Sequence, residues 1–165
     1  QDSIGICVPG LCRHYYDNHF WPDKIETCED ENILQWLENH LCMIPMEPRR
    51  PGCSVVEGMD ITKEKVNNLA QAADDCWNAI LKTDLEAFSK AYKDSFNAQV
   101  SMFPAMIQGC VQEYIDKYSA MEEVLAWKMP GAGGGGYLAC VVKDTNNFCE
   151  KNPEAIKLKI RRSGF

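Results

Sequence analysis

The residues best placed by type and spacing to do chemistry stand in the run KMPGAGGGGYLACVV, where Gly131, Gly133, Gly134, Gly135 and Gly136 enclose Ala132. Five of the chain's eleven glycines fall in these six positions. An ordinary hairpin needs one or two glycines for positive φ. Each further glycine costs roughly 0.5–1 kcal/mol relative to alanine, because more backbone freedom is lost on folding. Such density answers to a demand: a ligand, or another stretch of backbone, must approach where no Cβ is tolerated. Successive N–H groups in such a loop also form a concavity suited to an anion. The common phosphate-binding patterns are absent. There is no G-x-x-x-x-G-K-[ST], and the run leads into a strand pattern rather than a helix, which excludes a dinucleotide fingerprint. The expectation is a ligand-approaching loop between two buried strands. A ligand-free hairpin is the competing reading, and the strongly apolar flanks argue against it.

Other candidates are more scattered. Arg13, His14, Tyr15, Tyr16, Asp17, Asn18, His19, Phe20 and Trp21 form the densest polar–aromatic cluster. Rings that stack on a sugar, with Arg and Asp to bond its hydroxyls, make Arg13, Tyr15, Tyr16 and Asp17 candidate substrate contacts. A linker, or a patch that a partner covers, would carry the same residues. Arg49 and Arg50, between prolines, could meet phosphate, although a surface role is the plainer reading. Asp74-Asp75 and Glu122-Glu123 read as solvated helix charges.

The nine cysteines (Cys7, Cys12, Cys28, Cys42, Cys53, Cys76, Cys110, Cys140 and Cys149) are odd in number and contain no C-x-x-C pair. Several sit in apolar runs, so free thiols in a reducing, cytoplasmic setting are expected. Only Cys7, Cys12, His14 and His19 approach a metal-ligand spacing, and no metal site is assigned. A net charge of −7 disfavours nucleic acid as the main partner. No segment has the length of a membrane span and no signal peptide opens the chain, so no membrane partner is expected. The first residue is Gln1 rather than Met, which suggests a fragment or a processed product.

The elements that must position these residues follow from periodicity. Residues 1–24 read as an irregular linker or the remnant of a preceding domain, and 25–165 as one domain. Short strands are expected over 24–27 and 41–46, with a helix over 29–40 between them and Pro45 at a strand end or edge. Val66, Leu69, Ala70, Ala73, Cys76, Trp77, Ile80 and Leu81 trace one helical face after a Thr62 cap. Asp84 caps the next helix, with its stripe at Leu85, Phe88, Tyr92, Phe96 and Val100, and Pro104 ends or restarts it. These stripes read as core packing. A third helix past Gly109 leads to strands over 124–129 and 137–143, a helical turn over 146–151 and an alternating strand over 155–161. The predicted class is α+β: a ferredoxin-like split βαβ sheet with a helical layer on one face.

In that context AWKMPGAGGGGYLACVV resembles the third, C-terminal signature of the GHMP kinases, in which a lysine-bearing strand enters a G-A-G-G-G-G loop and leaves as an apolar strand. ENHLCMIPMEPRRPGCSVVEG is similar to the family segment that opens the C-terminal half, and LKTDLEAFSKAY to its helix–turn–helix. The resemblance covers about residues 25–165 and is closest to the sugar-1-kinase branch, since bulky Tyr137 follows the glycines. Pro130 stands where the family has Ser or Thr. The family's phosphate-cradling P-x-x-x-G-L-G-S-S-A-A, its acidic base or magnesium ligand and its phosphoryl-contacting cation belong to an N-terminal domain and are not in this chain.

The resemblance therefore implies the C-terminal lobe of an ATP- and Mg2+-dependent small-molecule kinase, inactive alone. Its partners would be an N-terminal kinase domain of the same protein and a sugar substrate. Gly131, Ala132, Gly133, Gly134, Gly135 and Gly136 would line the nucleotide and substrate cleft. Lys128 would lend charge there, although a solvated strand lysine is the plainer reading. The alternative is a non-catalytic ferredoxin-like module that binds a ligand or has a regulatory role.

Overall fold

The continuous apolar runs at 41–46 and 137–142 meet as the centre of an antiparallel sheet. The computed structural model describes residues 2–17, 19–52 and 54–164. The elements run α1 (Asp2–Cys7), β1 (Leu11–Tyr15), β2 (Lys24–Cys28), α2 (Glu31–His40), β3 (Leu41–Pro45), α3 (Lys63–Leu81) and α4 (Leu85–Met102). After a 3-10 turn (Pro104–Met106) follow α5 (Val111–Ser119), β4 (Val124–Lys128), β5 (Tyr137–Val142), α6 (Thr145–Lys151) and β6 (Ile156–Lys157). The main sheet has the order β4-β5-β3-β6, antiparallel throughout. That is the split βαβ arrangement of an α+β fold.

Local chemistry sets the helix ends. Thr62 accepts from Lys65 N–H and Asp84 from Ala87 N–H, as their cap roles require. Pro104, which cannot continue the ladder, opens the 3-10 turn. Cys42 pairs with Cys140 across β3 and β5, both fully buried, and joins Ile44, Leu138 and Val142 in a cluster with α5 and α6. Val141 faces the other way, into a second cluster with Leu37, Ala79, Phe88 and Ala126, so β5 is packed on both faces. Its near-continuous apolar sequence follows from that. The α3 stripe is only partly core. Val66 and Leu81 are exposed, and α3 packs mainly on α4, with small Ala72 and Ala79 as its buried residues.

Two expectations are corrected. Among the described residues, 1–24 is not irregular throughout: it holds α1 and β1, and β1 pairs with β2 from Leu11↔Cys28 to Tyr15↔Lys24. A boundary at 24 would cut that hairpin. The alternating strand over 155–161 shrinks to Ile156–Lys157, paired only with Cys42 and Met43. Beyond it the chain is held by α2 side chains instead of a ladder. Glu38, almost fully buried, accepts from Ile160 N–H (2.7 Å), Lys159 Nζ (3.0 Å) and Arg162 Nη1, while Arg162 also grips Glu31 through Nε and Nη2.

Burial pushes the Glu38 carboxyl up, but the bonds from Arg162, Ile160 N–H and Lys159 outweigh it and hold it below the ordinary range. The Arg162 guanidinium brings Glu31 down to about 2. Depressed carboxyls stabilise the fold above their unfolded pKa, and that contribution is lost as pH falls from the ordinary carboxylate range toward 2. Glu38→Ala should remove about 2 kcal/mol at neutral pH, since Ile160 N–H and Arg162 lose a charged acceptor. It should also flatten the acid limb of stability. Urea unfolding as a function of pH measures both; an unchanged acid limb would count against this account.

Candidate functional site at the glycine loop

The loop leaves β4 through fully buried Met129 and enters β5 at Tyr137. Gly133, Gly134, Gly135 and Gly136 all take positive φ (82°, 74°, 144° and 93°), while Gly131 does not. Two of the four are also crowded. A Cβ on Gly133 would lie 2.7–2.9 Å from Met106 Cβ, O and Cα, and one on Gly135 would lie 2.5 Å from Glu47 O and 2.8 Å from Arg49 N. Backbone hydrogen bonds explain the approach. Gly134 N–H donates to Met106 O (2.8 Å), Gly136 N–H to Glu47 O (3.0 Å) and Met46 N–H to Gly136 O (2.8 Å). The close neighbour demanded by the glycine density is therefore, at Gly133 and Gly135, the chain itself.

The same clamp brings in a residue that sequence alone read as surface. Arg49 Nε donates to Gly133 O at 3.0 Å, and its side chain lies over Gly134. One signal could have found it. β3 and β5 end on the register Pro45↔Tyr137, so the residues just after Pro45 must face those just before Tyr137. Gly131 and Ala132 are exposed, as are Arg49 and Tyr137. The loop thus has a buried half that fixes its shape and an exposed half of open backbone next to a guanidinium, a combination able to meet an anionic oxygen.

The other predicted residues are not gathered at the loop. Arg13 pairs with Asp74, stands 4.0 Å from Glu26 and lies over the Tyr15 ring at 4.5 Å. Tyr15 Oη donates to Glu26 (2.7 Å), which holds the phenol above its ordinary pKa. Asp17 N–H donates to Asp23 at the hairpin turn, where Tyr16, Phe20 and Trp21 are exposed. Asn18 lies outside the described residues. Arg13 shares a cavity with Pro130, the residue before the loop. Lys128 is not a solvated strand lysine: it is half-buried, donates to Ser95 Oγ, and burial lowers its pKa. Cys42 and Cys140 are buried free thiols, with Cys42 pushed up to about 12 by burial; Cys53 lies outside the described residues. Among the described residues no group of three or more His, Cys, Asp or Glu is placed to hold a metal ion, and no helix is long and apolar enough to cross a membrane.

No known family profile and no curated protein matches the sequence. Solved structures do match the fold. A D-glycero-D-manno-heptose 1-phosphate kinase from Bacteriodes thetaiotaomicron superposes with a TM-score of 0.53 at 15% identity, over 88% of this chain and 42% of that one. A protein assigned as a sugar kinase from Campylobacter jejuni gives 0.52 at 16% identity, over 84% of this chain and 42% of that one. At such identity the likeness is one of fold, and the chain spans less than half the length of either neighbour.

Proposed function

We propose that this chain is the C-terminal lobe of an ATP-dependent sugar kinase, and that it contributes the loop 131–136 to the cleft where nucleotide and acceptor meet. The observation that carries the reading is the joint one of fold and motif. The fold is shared with part of two sugar kinases, and the GHMP-like glycine run occupies a strand-to-strand turn with an arginine laid against it. Gly131 and Ala132 are the residues with backbone open to a ligand; Gly133 and Gly135 hold the turn against Met106 and Glu47. Arg49 fits a phosphate oxygen of the nucleotide or the acceptor.

Phosphoryl transfer rests on positioning and on stabilising charge around the phosphates and metal. In this reading most of that comes from an N-terminal domain of the same protein, which carries the phosphate cradle and the Mg2+ ligands. The exposed Phe20 and Trp21 at the β1–β2 turn suit a surface that such a domain covers. ATP consumption with a panel of sugars, by a longer gene product and by the 165-residue chain, tests this. Sugar-dependent ADP release is expected from the longer product only. Substantial turnover by the chain alone would overturn the claim of an incomplete site, and none by either would overturn the kinase.

One observation favours a second reading, a non-catalytic ligand-binding module. The contacts of Gly133 and Gly135 account for those two glycines without any ligand. A reading frame without a phosphate-cradle signature upstream of residue 1 would select it.

A further inference from the structure

The second cluster is not closed. Between β1, α2, α3, α4 and the end of β4 lies a cavity of about 440 Å3, of the size that holds a small organic ligand. In a chain of net charge −7, its lining carries Arg13, His14 and Lys128 and no Asp or Glu. Arg13 is already paired with Asp74. Lys128 is not: among the described residues its ammonium has Ser95 Oγ as a partner and no carboxylate within 4.0 Å. The nearby Cys76 thiol cannot serve as counter-ion, because burial pushes it up to about 11 and keeps it neutral at pH 7. His14 adds a buried Nε2 with no hydrogen-bond partner to the same wall. The rest is largely apolar, and Trp77, Phe88 and Tyr92 are its aromatic members. A partly desolvated cation without a counter-charge carries a cost, and an anion brought by a ligand offsets it.

We propose that this cavity binds a small organic anion, a phosphate or carboxylate carried on a flat apolar body. Lys128 Nζ and Ser95 Oγ meet the anionic group, and Trp77 and Tyr92 take the body. The proposal needs only this chain and does not rest on the kinase reading. Phenyl phosphate and benzoate, titrated separately, probe the two head groups, with benzyl alcohol as the uncharged control. Thermal unfolding and tryptophan fluorescence report binding, the latter checked against Trp77→Phe.

At least one anion should bind and raise Tm, with benzyl alcohol at least about tenfold weaker. The better of the two anions names the head group. Lys128→Met should weaken binding at least about tenfold, since a charge-assisted contact is lost. It should also raise the Tm of the ligand-free chain, because a desolvated cation is replaced by an apolar side chain of similar length. If that variant does not fold, Ser95→Ala should still weaken binding severalfold. No response to either anion at about 10 mM, which bounds Kd above the useful millimolar range, would overturn the proposal. So would binding by benzyl alcohol as tight as by the anions, or anion binding unchanged in Lys128→Met or, where that variant does not fold, in Ser95→Ala.

Discussion

Replacing Gly135 by alanine should lower folding stability by about 3 kcal/mol, the sum of a left-handed backbone penalty and an overpacked contact. Its φ is 144°, and the added Cβ would fall 2.5 Å from Glu47 O, 2.8 Å from Arg49 N and 3.0 Å from Pro48 C. Those atoms are backbone, so no rotamer change relieves them. Gly133→Ala should behave alike, against Met106 backbone. Gly136→Ala meets nothing within 4 Å and should lose only about 1 kcal/mol to its positive φ. Gly131→Ala has neither positive φ nor a near neighbour and should be close to neutral. Urea midpoints for the four variants should rank in that order. Equal midpoints for Gly135→Ala and Gly131→Ala would refute the clamp by residues 47–49.

In the longer protein that the kinase reading requires, Gly131→Val should cut sugar-dependent turnover by about 100-fold or more, while Tm stays near wild type. A side chain on the open half of the loop would displace reacting groups by the ångström or so that positioning does not tolerate. The space around Gly131 is empty, so the fold gives no reason for the loss. Gly134 is a poorer probe: its φ of 74° and the Arg49 side chain 3.3 Å from a Cβ would mix strain with any effect on ligand. Wild-type turnover in Gly131→Val, with the longer protein active, would remove the exposed half of the loop from the mechanism.

Much of this fold was legible because it rests on local chemistry. Thr62 and Asp84 cap their helices through bonds to N–H groups three residues on, and Pro104 breaks a ladder that reaches only four residues back. A strongly apolar run marked 137–143, and the order of strands and helices was enough to give a split βαβ sheet. The failures share a cause. β1 depends on a partner thirteen residues or so away, and its polar residues carry no periodic signal. The alternation over 155–161 is genuine, but Glu38 and Glu31 on α2 capture that backbone and its arginine before a ladder can form.

The same division runs through the site. The sequence by itself determined that residues 131–136 must admit a close neighbour, because the entropy lost at five glycines needs a reason within the fold or from a ligand. Only the tertiary structure decided which glycines answer to which. Gly133 and Gly135 meet backbone from Met106 and from residues 47–49, Arg49 is bonded to a carbonyl 84 positions away, and Gly131 and Ala132 stay exposed. It also turned Lys128 from an ordinary strand lysine into a half-buried cation facing a cavity without a carboxylate. Hydrogen-bond partners and desolvation depend on what the chain folds against, and neither is written in the spacing of neighbouring residues.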